Sequence, residues 1–393
     1  MTKIPSQKIW ALIGLVALLM AAGVPASGVS AEPSASVRIV SNSEEINFPN
    51  EVVFRLEAES DANIADVRLY YRLAGRNITA YGYPDISETS GRVTAEFRVE
   101  TSGPNYIPPG TDFEYYYVIT DASGGEYETD LMRFEYLDPS FDWRRYQQND
   151  LIILYHDRSE RTVRNVAEEV NSRLRDVRRL MGLELGTPMK AVILNNSRES
   201  SRSFPLISQT ARQDHVFGGF AFGEYDLFLL MGLNRDGIIH EMTHLLLDEA
   251  VSSPLAQIPA WLNEGLAQHF ESGGSGRATA VSDAASSGDL LALRSMGRIP
   301  GRPQEVRIFY PQAWSVVDYM LTAYDEARMS NLLQAINQGS RIEEAIPAAY
   351  GVTLSELEAQ WLRTVSDNIS PSQSVDPGTL GTSLVIAGAA AVA

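Results

Sequence analysis

His240 and His244 stand four residues apart in GIIHEMTHLLLDEA, and Glu241 follows the first histidine directly. At 3.6 residues per turn the two imidazoles share one helical face and can both reach a single ion, whereas Glu241 is turned about 100° away and sits beside it. That geometry suits two ligands and a base. Ile238, Ile239, Leu245, Leu246 and Leu247 predict a buried helix that holds the histidines in fixed rotamers. Glu264 follows in IPAWLNEGLAQHFE, which reads as a second helix opened near Pro259. Two histidines and a carboxylate are the ligand set of a catalytic zinc whose fourth position is open to water. The expected chemistry is therefore metal-assisted hydrolysis, with one Zn2+ per chain on His240, His244 and Glu264 and with Glu241 as general base.

HEMTH followed by WLNEGLA resembles the gluzincins, and specifically the peptidase MA-like family of secreted or membrane-tethered bacterial proteins. FYPQAWSVVDYM, the turn at Gly339 and AAYGVTLSELEAQW extend the likeness over roughly Asn234 to Val365. The resemblance implies a zinc metallopeptidase with a peptide or protein substrate. It also implies a thermolysin-like fold, in which the HExxH helix and the Glu264 helix cross beneath a strand that binds extended peptide. Gluzincins draw an oxyanion-stabilising electrophile from a downstream tyrosine or histidine, and Tyr310, at the start of the helix YPQAWSVVDYM, matches that place. Tyr319 and Tyr324 read as packing residues.

Some members place an acidic residue four positions after the glutamate ligand to orient a ligand histidine. Here that position is Gln268, whose carbonyl oxygen can still accept an imidazole N–H. Asp248, four residues after His244, shares its helical face and is the other candidate for that task. His269 reads as structural. Two other readings use the same residues: a non-catalytic extracellular binding protein with a structural zinc site, and a zinc hydrolase of non-peptide amides or esters.

The elements that must position these groups fall into two textures. From about Ser36 to Leu137 apolar residues alternate with period two, as in Val52, Phe54, Leu56 and in Val67, Leu69, Tyr71, Leu73, and again in Val93, Ala95, Phe97, Val99. Six or seven such strands predict an all-β sandwich of immunoglobulin or fibronectin type III character over 36–137, read as a spacer or docking module whose partner is open. From Asp142 the period shifts toward 3.6. LIILYHD, KAVILNN and DLFLLMG read as strands and Arg161 to Met181 as a charged amphipathic helix; beyond Asn234 the pattern is almost wholly helical. The expectation is a multidomain chain whose second domain, 142–368, is α+β with a mainly helical C-terminal half.

The 393 residues carry a formal net charge of −18, which disfavours nucleic acid as a partner. With no cysteine present, any metal must be held through nitrogen and oxygen. Lys3 and Lys8 precede an apolar run from Ile9 to Val24, and Val29-Ser30-Ala31 supplies small residues for cleavage, so 1–31 reads as a signal peptide. Residues 369–393 read as a linker and an apolar tail, Leu384 to Ala393, resembling part of a membrane tether. Both features place the bulk of the chain outside the cytoplasm, secreted or anchored at the cell surface.

Overall fold

The computed structural model describes residues 37–367 except 77, 90, 185, 187 and 207–217. The expected leader and apolar tail lie outside the described residues, among which no helix is long and apolar enough to cross a membrane.

The N-terminal part is all antiparallel. Strands β1 (Val37–Asn47), β2 (Glu51–Ser60), β6 (Arg92–Glu100) and β5 (Asp85–Thr89) form one sheet in the order β1-β2-β6-β5. The second runs β4 (Thr79–Gly82), β3 (Ile64–Leu73), β7 (Asp112–Asp121), β8 (Glu126–Glu128), with β9 (Met132–Glu135) also paired to β7. The period-two pattern has its expected cause: in β7 every second residue, Phe113, Tyr115, Tyr117 and Ile119, is buried between the sheets.

The second part is built on a mixed sheet of order β10-β11-β12-β14-β13, made of β10 (Arg144–Gln148), β11 (Leu151–Tyr155), β12 (Met189–Leu194), β14 (Leu227–Met231) and β13 (Gly219–Phe222). The three central strands are parallel, and β10 and β13 run antiparallel at the two edges. Helices α1 (Glu160–Met181) and α2 (Ser197–Ser203) connect the strands. After β14 come α3 (Arg235–Ala250), α4 (Ala260–His269), α5 (Gly274–Ser287), α6 (Pro303–Ala323), α7 (Glu326–Asn337), α8 (Ile342–Tyr350) and α9 (Leu354–Asp367). An N-terminal all-β part thus precedes an α+β part whose C-terminal half is helical. The short edge strands β10 and β13 went unread in the sequence: RRYQQ has no apolar run, and GFAF follows a polar stretch rich in Ser, Arg and Gly.

The mixed sheet is buried on both faces. Leu151, Ile153, Ala191, Ile193, Phe228 and Leu230 pack with the helices, while Ile152, Leu154, Val192, Leu194, Leu227 and Leu229 join the core of the sandwich. Side chains alternate across a strand, so β11, β12 and β14 had to be continuously apolar to satisfy both neighbours. Lys190, on the sandwich side of β12, donates to Gly110 O at 2.9 Å and pairs with Glu135 at 2.6 Å and Asp112 at 2.7 Å. At Gly110, whose φ is +96°, a Cβ would lie 2.5 Å from Val192 Cγ2. The sandwich is therefore not a detached spacer but the cover of one face of the second sheet.

A chain begun at Asp142 should accordingly fail to fold. Uncovering those apolar side chains forfeits about 1.5–3 kcal/mol each, together comparable to the usual 5–15 kcal/mol of net stability. Calorimetry should find no cooperative transition in the soluble fraction; a monomeric fragment with a sharp melt would contradict the shared core.

Candidate metal centre

Helix α3 starts where Asn234 Oδ1 accepts a hydrogen bond from Gly237 N at 2.6 Å, after a turn at Gly232 with φ +81°. Every residue from Gly237 to Leu247 is buried, so the helix is enclosed on all sides. About three turns of packing therefore fix where His240, Glu241 and His244 point.

Helix α4 brings the third group. His240 Nε2 lies 3.1 Å from His244 Nε2, and Glu264 Oε2 is 3.5 Å from the first and 3.8 Å from the second. A point equidistant from the three atoms is about 2.0 Å from each, close to the 2.0–2.2 Å of zinc–nitrogen and zinc–oxygen bonds. His240, Glu241 and Glu264 are at most 2% exposed and His244 is 5% exposed, which makes the pocket dry.

The hydrogen bonds around the rings strengthen the fit. His240 Nδ1 donates to Glu271 Oε1, and His244 Nδ1 donates to Asn263 Oδ1 at 2.6 Å. With both Nδ1 atoms engaged as donors, the Nε2 atoms are the ring positions left to face one another and the Glu264 carboxylate oxygen. The three atoms that meet in this buried site need a positive charge between them, supplied by a proton on His240 or by a bound cation in its place. Glu264 Oε2, both carboxylate oxygens of Glu241 and the Tyr310 hydroxyl are buried there without a hydrogen-bond partner. Such a donor set fits zinc.

Electrostatics separate the groups. Burial pulls His240 down, but the Glu264 and Glu271 carboxylates outweigh it and hold its pKa well above the ordinary value. His244 is pushed down to about 3 by burial and then by His240. Burial raises the Glu241 carboxyl to about 8. The Tyr310 phenol is raised by burial, then by the charges of Glu264 and Glu241.

Two glycines set these approaches. A Cβ on Gly265 would lie 2.5 Å from Ala313 O and from Val317 Cγ2, so α4 sits directly on the α6 backbone. That contact carries Tyr310, one turn before Ala313, up to Glu264. A Cβ on Gly219 would lie 2.5 Å from Glu241 Oε1, so the edge strand β13 passes immediately over the expected base.

The structure corrects three expectations. The partners of the ligand histidines are Glu271 and Asn263, not Asp248 and Gln268. Gln268 faces α6, donating to Tyr310 O at 3.0 Å and to Glu264 O at 3.2 Å. Asp248 lies against Gly223, where a Cβ would meet its Oδ2 at 2.6 Å, because the His244 ring turns toward α4. Tyr310 does not open its helix: α6 starts at Pro303 and runs through Pro311. A proline is tolerated in a first turn, and in this helix Pro303 fills that place. His269 lies outside the cluster, its Nδ1 3.2 Å from Asp318 Oδ1. Glu271 lies beyond the end of α4, where no helical periodicity could have pointed to it.

Residues 173–367 match the model of the family described as the Peptidase MA superfamily. With its HExxH pair and distal glutamate, this part of the chain is a gluzincin-type, peptidase MA-like domain. Among solved structures, an M1 zinc metallopeptidase from Deinococcus radiodurans is 13% identical, covering 81% of this chain and 90% of its own with a TM-score of 0.36. An aminopeptidase N family protein from Idiomarina loihiensis is 8% identical over 80% of this chain and 74% of its own, with a TM-score of 0.39. A carbohydrate-binding module of family 56, a β-1,3-glucan binding domain, is 15% identical over 26% of this chain and 100% of its own, with a TM-score of 0.18. No curated protein matches the chain.

The raised Glu241 pKa predicts how the metal-free protein responds to pH. Unfolded, the carboxyl titrates near 4.5, and folded near 8, so between these values the native state holds a proton that the unfolded state has lost. Stability therefore falls as pH rises through that window, by on the order of a few kcal/mol. With a chelator present, thermal melts should decline more steeply from pH 5 to 8.5 for the natural chain than for Glu241→Gln; parallel curves would refute the assignment.

Proposed function

We propose that this chain is a zinc-dependent peptidase that works outside the cytoplasm, with His240, His244 and Glu264 holding the metal, Glu241 acting as general base and Tyr310 as oxyanion donor. The observation that carries the reading is the set of buried, unpartnered polar atoms on Glu241, Glu264 and Tyr310 around two imidazoles whose free nitrogens converge. Zinc bound there supplies a Lewis acid and lowers the pKa of water in its open position.

The protein's own groups do the rest. Asn263 and Glu271 hold the two imidazoles in the tautomer that leaves Nε2 free. Glu241, protonated up to about pH 8 chiefly by burial, ionises beside a positive charge and can then take a proton from water and pass it to the leaving nitrogen. Tyr310 keeps its proton at neutral pH because its phenolate would be buried near two carboxylates, so it can donate to an oxyanion forming on the carbonyl. Strand β13, at the sheet edge over Glu241, offers a wall along which an extended chain can lie.

The cluster has three members among the described residues, whereas structural zinc takes four protein ligands, which speaks against the binding-protein reading. The location rests on Lys3, Lys8 and the apolar run that follows them.

Digestion of a peptide library by the full chain, with and without chelator and added zinc, tests the reading. Glu241→Gln should retain stoichiometric zinc and lose roughly 10²–10⁴ in kcat, whereas His244→Ala should lose zinc as well. Full activity in Glu241→Gln would overturn the base. Activity on esters or non-peptide amides alone would replace the substrate class.

Tyr310→Phe should lower kcat by roughly 10²–10³ with little change in KM, since the hydroxyl acts on charge that develops only in the transition state. A change confined to KM would remove it from the chemistry.

A further inference from the structure

We propose that Arg277 is a positioning residue of the metal centre, fixing the Glu271 carboxylate so that its other oxygen orients His240; the inference rests on the zinc reading above.

Arg277 lies near the start of α5, outside the HExxH helix and the Glu264 helix, and all three nitrogens of its guanidinium are committed to the turn that leaves α4. Nε donates to Gln268 Oε1 at 3.1 Å, Nη1 donates to Ser272 O at 2.9 Å, and Nη2 is paired with Glu271 Oε2. The Glu271 carboxylate is thus divided: Oε2 takes the arginine and Oε1 takes His240 Nδ1–H. Their side chains are 16% and 10% exposed, so water competes little with either bond. Ser272 in the same turn is hydrogen-bonded to Asp236 in the first turn of α3, which ties the turn to the helix that carries the histidines.

The sequence shows why such a device is needed. The residue four after Glu264, placed by the helix to face a ligand, is the neutral Gln268, and it bonds to Arg277 and α6 instead. The carboxylate that reaches His240 comes from Glu271, past the last turn of α4, where helical hydrogen bonds no longer hold the backbone. A planar fork of donors can brace a side chain, a backbone carbonyl and a carboxylate at once. A lysine ammonium, a point charge on a flexible stem, cannot reproduce that geometry. Freed of Arg277, Glu271 could rotate from His240, and the ring would lose its set tautomer and direction.

The test uses the full chain and four variants: Glu271→Gln, Arg277→Met, Arg277→Lys, and Glu271→Gln with Arg277→Met. Zinc affinity is read by chelator competition, and the ligand field by the visible spectrum of the Co2+-loaded protein. Glu271→Gln and Arg277→Met should each weaken zinc by roughly 10- to 100-fold and alter the cobalt spectrum. The double variant should be no weaker than the worse single one, because both act through one bond. Arg277→Lys, the milder change should Arg277→Met fail to fold, should recover only part of the loss. Losses that add in the double variant, or an Arg277→Met protein with a lower melting point but unchanged affinity and spectrum, would reduce the arginine to a structural brace and overturn the inference alone. A natural chain that takes up neither zinc nor cobalt would overturn the zinc reading and this inference with it.

Discussion

Three electron-pair donors and a second carboxylate share one buried pocket, and that convergence is what the rest of the structure must sustain. Two imidazole nitrogens 3.1 Å apart beside the carboxylates of Glu264 and Glu241 need a positive charge among them, a proton on His240 or a bound cation. A helix enclosed from Gly237 to Leu247 keeps the histidines from swinging apart, and the contact of Gly265 with the α6 backbone keeps Glu264 and Tyr310 from retreating. Folding energy from apolar burial thus holds together groups that bind either a proton on His240 or a cation, which links metal occupancy to stability.

The same reasoning accounts for the two-part architecture. The mixed sheet bearing β13 and β14 presents apolar residues on both faces, and the helices cover only one. The N-terminal sandwich covers the other, with Lys190 held between Gly110 O, Asp112 and Glu135 at the seam. Through this seam the sandwich backs the sheet that leads to the candidate metal centre. It stiffens the sheet, the sheet fixes β14 and β13, and β14 leads through Gly232 into the helix that carries the histidines.

Around the rings, second contacts come from unexpected places. Asn263 serves His244 from the position before the ligand Glu264, and Glu271 serves His240 from beyond the end of the same helix. Gln268, in the regular helical position, holds α4 to α6. A ligand shell can be completed from any backbone that passes within reach. Irregular segments do this as well as helices once they are tied down, here through Ser272, Asp236 and Arg277.

Local rules decided what was legible in the sequence. The four-residue spacing of His240 and His244, the apolar residues flanking them, the downstream Glu264 and the period-two strands follow from helix and strand repeat geometry, which is written in neighbouring residues. The change of period near Asp142 likewise marked where the second part begins. Contacts between segments far apart in the chain depend on how whole elements pack, and no repeat encodes them. The glycines at 219 and 265, the partnership of Glu271 with His240, the true start of the Tyr310 helix and the joining of the sandwich to the mixed sheet were therefore settled only by the tertiary structure.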